Sequence, residues 1–350
     1  MFKDKINLDL KENTKALIVS DIHLQLPLTR ELEMIQGSLV SRINELSKSR
    51  NAILILNGDI LELWENKDQT VADILDGFSK LTQAINNFIK IKSHKVIYVV
   101  GNHDDIISRS SSEQKSLHKL WGAEICRTLD TSIGKDKIRI EHGHESDSYN
   151  ATSNQQEPRG KKLVQNILPF LLKTMPSLFK GIGDVVNRSL LPSYVLSNLA
   201  YKIVAPICIP IVLIISIFLS IGLSDDRYWK AAVLVFVLLW AVFLIADVLL
   251  RFVASFALGG GSTYMKKVDK YQKEAKFETI IYGHTHQGLI EKRNKYTYAN
   301  SGCNDVVAFP KIGWMGLVRF NRYVQLSNLS IDNSKKDYLK YHQEIVPLVE

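Results

Sequence analysis

Cysteine is scarce in this chain. Three are spread over 350 residues, Cys126, Cys208 and Cys303, and none belongs to a Cys-x-x-Cys pair. That excludes a disulfide scaffold and suits a reducing compartment. An apolar leader is also missing: Met1-Phe2-Lys3-Asp4-Lys5 runs into a polar stretch and does not read as a signal peptide. Internal repeats and low-complexity tracts are absent, which excludes a solenoid or a tail-like polymer. Acid is in deficit, with 36 Asp plus Glu against 44 Lys plus Arg, a net +8. Such a balance suits nucleic acid, an anionic membrane surface or a phosphorylated substrate, and does not choose among them. With 46% hydrophobic residues the chain has enough apolar mass for a packed core, as one large domain with an appendage or as two small domains.

What the chain does have is a series of short apolar runs that end alike. The central one is Ile53-Leu54-Ile55-Leu56, which runs into Asn57-Gly58-Asp59. A run of this length bounded by a turn signal predicts a buried strand. Asp59 then stands at the strand's carboxyl end, where α/β sheets bind ligands. It either bridges two metal ions or caps the next helix. Ala16-Leu17-Ile18-Val19-Ser20 delivers Asp21-Ile22-His23, whose two polar side chains point the same way along an extended chain. Residues 32–46 and 71–91 have helical spacing. Residues 95–100 form a third strand ending in Gly101-Asn102-His103-Asp104, and 138–140 a fourth ending in Glu141-His142-Gly143-His144. Residues 279–282 end in Gly283-His284-Thr285-His286, and 296–299 in Asn300-Ser301-Gly302. Residues 317–320 and 323–326 predict a closing hairpin, with a polar, peripheral tail after Ser327. Asp, Asn and His gathered at strand ends behind glycine turns form a metal-site pattern.

In order and spacing these motifs resemble the calcineurin-like metallophosphoesterases over roughly residues 15–150 and 275–325. The resemblance implies an α/β fold, a four-layer α-β-β-α sandwich with metals at the strand ends. Asp21, His23 and His286 would hold one metal. Asn102, His142 and His284 would hold the other, and Asp59 would bridge them. His103 would face the substrate phosphate, with Asp104 orienting it. His144 is an alternative to His142, as ligand or as support. Asn300 either hydrogen-bonds at the substrate site or forms the turn that Gly302 needs. Mixed carboxylate, amide and imidazole ligands suit two divalent ions, Mn²⁺ first, with Fe or Zn²⁺ as alternatives. Gly58-Asp59-Ile60-Leu61-Glu62-Leu63-Trp64 with Ser20-Asp21-Ile22-His23-Leu24 resembles the UDP-2,3-diacylglucosamine diphosphatase branch. That branch usually has Arg at the place of His103 and Asp at the place of His144.

The core is interrupted. Residues 204–223 and 231–250 are nearly charge-free runs of bilayer-spanning length, joined by Ser224-Asp225-Asp226-Arg227-Tyr228-Trp229-Lys230. They predict a transmembrane hairpin inside a helical insertion, or else a buried helical pair. Basic residues before and after the hairpin place both flanks, and so the catalytic domain, in the cytoplasm at the inner membrane. Asp247 and Arg251 pair four apart on one helix face or line an ion path. Residues 163–199 read as amphipathic segments cut by prolines, suited to an anionic leaflet or to covering a core. Gly259-Gly260-Gly261 reads as a flexible exit from the hairpin. The expected organisation is core 15–150, insertion 151–275, core 276–326 and tail 327–350. Expected partners are membrane lipids and an amphiphilic phosphorylated substrate, with no nucleic acid.

Overall fold

The computed structural model describes residues 2–11, 13–64, 68–147, 150–151, 161, 261–312 and 318–348. Two compact units divide the chain, Met1–Leu190 with Lys267–Glu350, and Leu191–Lys266. Only the last six residues of the second are described. The expected spans at 204–223 and 231–250, the segment 163–199, and Asp247 and Arg251 lie outside the described residues. Among the described residues no helix is long and apolar enough to cross a membrane.

The elements of the larger unit begin with β1 (Lys3–Asp9), β2 (Thr14–Val19), α1 (Arg30–Leu46) and β3 (Asn51–Asn57). Then come α2 (Val71–Gly77), α3 (Ser79–Ile89), β4 (His94–Val99), α4 (Ile106–Arg109), α5 (Ser111–Trp121), β5 (Glu124–Ile133) and β6 (Asp136–Glu141). After the insertion follow α6 (Gly261–Ala275), β7 (Thr279–Tyr282), β8 (Leu289–Arg293), β9 (Tyr296–Asn300), β10 (Asn304–Ile312), β11 (Val318–Asp332) and β12 (Leu339–Pro347).

The strands join one mixed sheet in the order β10-β11-β2-β3-β4-β5-β6-β7-β9-β8, with β1 on β5 and β12 on β11. The expected pair of separate sheets is corrected to one continuous sheet that folds over itself. Strand alternation explains the layers. Leu54 and Leu56 of β3 face one way and pack with Leu32, Ile35 and Leu39 of α1 and with Ile85 and Phe88 of α3. Ile53 and Ile55 face the other way. They share a second core with Ile138 and Ile140 of β6, Ile281 of β7 and Ala299 of β9. Apolar residues on both faces are what a doubly covered sheet requires. On the far side Gln272 of α6 donates to the carbonyls of Phe277, Glu278 and Thr297. The part of α6 from Lys267 onward thus groups with the core, although by sequence it stands at the end of the insertion.

Three sequence expectations are corrected. Residues 317–326 do not form a hairpin: 318–332 is one strand, paired along its length first with β10 and then with β2. Asn321-Arg322 lacks the glycine that a tight two-residue turn favours at positive φ. The tail is not peripheral either, since Leu329 and Ile331 are buried and β12 pairs with β11. The helix expected over 71–91 breaks at Phe78, whose backbone leaves the helical region at ψ 47° and whose ring is fully buried. Thr82 Oγ1 donates to the Leu75 carbonyl freed by the break, at 2.8 Å.

Candidate metal centre

Six strand ends supply the site. Asp21 and His23 follow β2, Asp59 follows β3, Asn102 and His103 follow β4, His142 follows β6, His284 and His286 follow β7, and Asn300 ends β9. Two of these loops are pinned by their backbones. The amides of Ile22 and His23 both donate to the Asp59 carbonyl, at 2.9 and 3.0 Å. The two halves of the sheet meet at the same rim. Ser20 Oγ lies 2.6 Å from Ser301 Oγ, and the His284 amide is 3.1 Å from both carboxylate oxygens of Asp21.

Asp21, His23, Asp59, His284 and His286 all have φ between 51° and 65°. Side chains other than glycine enter this region at a cost of order 1–3 kcal/mol each, and such residues gather at functional sites. Two glycines make the approach possible. A Cβ on Gly101 would stand 2.2 Å from Asp59 Oδ1, and one on Gly58, at φ +80°, would stand 2.5 Å from the His142 ring.

The expected donors fall into two sets, and among the described residues a third group, His23, Glu62 and His103, lies beside them. Asp21, His23 and His286 offer atoms all within 4.8 Å of one another, and so do Asp59, His142 and His284. His286 Nε2 is 3.3 Å from Asp21 Oδ1, and His142 Nε2 is 3.0 Å from Asp59 Oδ2. Ligands bound about 2.1 Å from one ion stand roughly 3 Å apart, so the spacing fits. Asn102 is fully buried, and neither its Oδ1 nor its Nδ2 has a hydrogen-bond partner. His23 Nε2 likewise has none. Buried polar atoms left this way are costly, and a metal ion is the partner this donor set suits.

Electrostatics point the same way. Burial would lower the His142 imidazole, but the Asp59 and Asp21 carboxylates outweigh it and hold it up at about 9. The same contest with Asp21 raises His286 well above its ordinary value. Burial would raise Asp21 and Asp59, yet the surrounding imidazoles hold both below the usual carboxylate range. These carboxylates draw positive charge to the point where the donors converge.

Sequence left His142 and His144 open. In the structure His142 Nδ1 lies 3.0 Å from the Asn57 carbonyl, which turns Nε2 toward Asp59. His144 Nε2 instead faces Glu145, at 3.3 Å. The role expected of Asp104 is corrected. Its carboxylate accepts from the Ile60 amide at 3.0 Å, the Gly101 amide at 2.7 Å and the Tyr98 hydroxyl at 2.6 Å, whereas His103 Nδ1 is held by Glu62. Asp104 fixes the loop carrying Asp59, and burial with the nearby Asp59 charge pushes it up to about 7. For Asn300 the two readings are a contact at the substrate site or the turn that Gly302 needs. Asn300 is fully buried, donates to the Gly283 carbonyl and Thr285 Oγ1, and accepts from the Gly302 amide. It shapes the turn bearing His284.

Two residues near the metal donors were assigned no role by sequence. Glu62 Oε2 accepts from His103 Nδ1 at 2.6 Å and His23 Nδ1 at 3.0 Å, while Oε1 accepts from the Trp64 amide at 2.9 Å. Burial would raise its carboxyl, but the two imidazoles bring it down to about 2. The Trp64 indole stacks on the His103 ring at 4.2 Å. The other residue is Asp147, beside His284. The signal for Glu62 was its place in the Gly58–Trp64 motif, three residues after Asp59, and Asp147 had none.

Residues 14–169 match the family described as calcineurin-like phosphoesterase. No curated protein matches the chain in sequence. Similar solved structures include a novel archaeal phosphodiesterase at 12% identity, covering 95% of this chain and 99% of that one, with a TM-score of 0.36. A dimetal phosphatase from Danio rerio is 9% identical over 96% and 99% of the two chains, at 0.34. Zinc-complexed Vps29 from Entamoeba histolytica is 10% identical over 95% and 98%, at 0.29.

Proposed function

We propose that this chain, whose residues 14–169 match the calcineurin-like phosphoesterase family, cleaves a phosphoanhydride or phosphodiester bond in an amphiphile at a membrane surface. The reaction class is that of a metal-dependent phosphoester hydrolase. The observation that carries the site reading is the meeting of two donor sets at one rim, with Asp59 facing both His142 and the loop of Asp21 and His23. Asp21, His23 and His286 would hold one ion, and Asn102, His142 and His284 the other, with Asp59 between them. Mn²⁺ is our first choice. When bound, a divalent pair supplies Lewis-acid charge that stabilises the phosphoryl oxygens and acidifies the attacking water.

The chain's own groups do the rest. Carboxylates only accept hydrogen bonds, so Glu62 takes N–H from Nδ1 of both histidines. His23 Nε2 is then the candidate metal donor, and His103 Nε2 would meet the substrate. As the imidazolium, His103 would donate from Nε2 to a phosphoryl oxygen or give that proton to the leaving oxygen. Trp64 and Glu62 together fix its ring, so little ordering is left for the moment of reaction.

Two features support an amphiphilic substrate. The apolar runs at 204–223 and 231–250 have the length of membrane spans. In sequence the expected insertion also begins just after Asp147, which contacts a candidate metal ligand. A lipid could keep its chains in the bilayer while its phosphate met the metals. Each methylene kept from water is worth about 0.8 kcal/mol. In mixed micelles kcat/KM should therefore rise steeply with acyl length at a fixed head group. Equal efficiency on short and long chains would favour a soluble nucleotide or a protein substrate. The full chain should also hydrolyse a small aryl phosphodiester with metal present.

A further inference from the structure

We infer that Asp147 is a positioning residue for the metal centre: it sets which nitrogen of His284 faces metal. The inference rests on the reading of His284 as a ligand. Asp147 Oδ2 stands 3.1 Å from His284 Nε2. A carboxylate beside a neutral imidazole fixes the proton on the nearer nitrogen. Nε2 therefore carries the hydrogen, and Nδ1 presents the lone pair. Backbone contacts already fix the other end of the residue, since the His284 amide is held by both oxygens of Asp21. Asp21 thus sets where the residue sits, and Asp147 sets how its ring is turned.

Asp147 is itself held firmly. Its amide donates to the His144 carbonyl at 2.9 Å, closing a short 3₁₀ turn after β6. Asn150 Nδ2 donates to the same Oδ2 at 2.8 Å, and the amides of Asn150 and Ala151 donate to the Asp147 carbonyl at 3.1 and 2.8 Å. Only 9% of the residue is exposed. A surface aspartate with a solvent role would not be built in this way. The arrangement repeats a pattern seen twice more at this rim. His23 is oriented by Glu62 through Nδ1, and His142 by the Asn57 carbonyl through Nδ1, so both present Nε2. His284 is oriented in the opposite sense, through Nε2. An outer acceptor of this kind fixes the tautomer and raises ligand basicity, and its loss typically costs ten- to hundredfold in metal affinity.

The test is metal affinity, read apart from turnover. Mn²⁺ binding to the full chain is measured by calorimetry, and the number of bound ions by elemental analysis, for wild type, Asp147→Ala, Asp147→Asn and His284→Ala. Asp147→Ala should weaken one of two binding steps ten- to hundredfold and leave the other unchanged. Asp147→Asn keeps an acceptor oxygen and should fall between Asp147→Ala and wild type. Should Asp147→Ala misfold by circular dichroism, Asn150→Ala, which only loosens the carboxylate, should weaken the same step. Wild-type affinity in Asp147→Ala, or in Asn150→Ala as its substitute, overturns the inference if His284→Ala has lost one ion. If His284→Ala also keeps both ions, the ligand reading itself is overturned and this inference with it.

Discussion

Glu62 holds two imidazoles on one carboxylate oxygen, and those imidazoles belong to different tasks. His23 is a candidate metal donor and His103 a candidate partner of the phosphate. Both orientations therefore depend on a single fully buried side chain. Glu62→Gln is nearly isosteric but loses the charge and replaces one acceptor oxygen with an amide donor. It should cut kcat ten- to hundredfold at saturating Mn²⁺, the range typical of lost support for a ligand. Steady-state kinetics beside a thermal melt will check this; an unchanged kcat would remove Glu62 from the account. At the same scale Asp104 shows how a polar residue of a motif can serve the fold, accepting from two amides and one buried hydroxyl. All three of its bonds hold the loops of Asp59 and Asn102 in place.

At the scale of elements, the site depends on loops held between strands, and one ion-pair group ties three strands together away from it. Asp130 of β5 accepts from Arg139 Nε and Nη2 of β6, each at 2.7 Å, and Lys5 of β1 lies 2.9 Å away. Burial would raise the Asp130 carboxyl, but the two cations hold it below 3.8. A carboxylate with a depressed folded pKa stabilises above its unfolded pKa, and the contribution is lost as pH falls through the folded value. Asp130→Asn should cost roughly 1 kcal/mol at pH 7 after solvent screening. The gap from wild type should close below pH 3.8 in urea unfolding, whereas a gap independent of pH would contradict the assignment. The ligand-bearing strands were legible in sequence because an apolar run, a glycine and a polar residue mark a buried strand and its turn without tertiary information. The break at Phe78 was not, because it depends on a ring drawn into the core. Nor was the long β11, whose pairing with β10 overrides a weak turn signal at Asn321-Arg322. Glu62 and Asp147 escaped for a similar reason: their partners lie 41 and 137 residues away in the chain.

For the whole molecule, a catalytic core interrupted by long apolar runs predicts a protein held by the bilayer. The full chain should resist carbonate extraction and require detergent, and release by high salt alone would argue for a buried helical pair instead. On that proposal the net +8 would face anionic lipid. The central claim, however, is chemical: two metal ions share Asp59, and turnover requires both. Its most direct test is elemental analysis of the chelated, reconstituted full chain, with hydrolysis of an aryl phosphodiester measured on the same samples. Wild type should bind two Mn²⁺ per chain and gain activity with the second equivalent, while Asp59→Asn should lose at least one ion and turn over at background rate. An Asp59→Asn protein that kept both ions and full activity, or a chelated wild type that stayed active, would contradict the account.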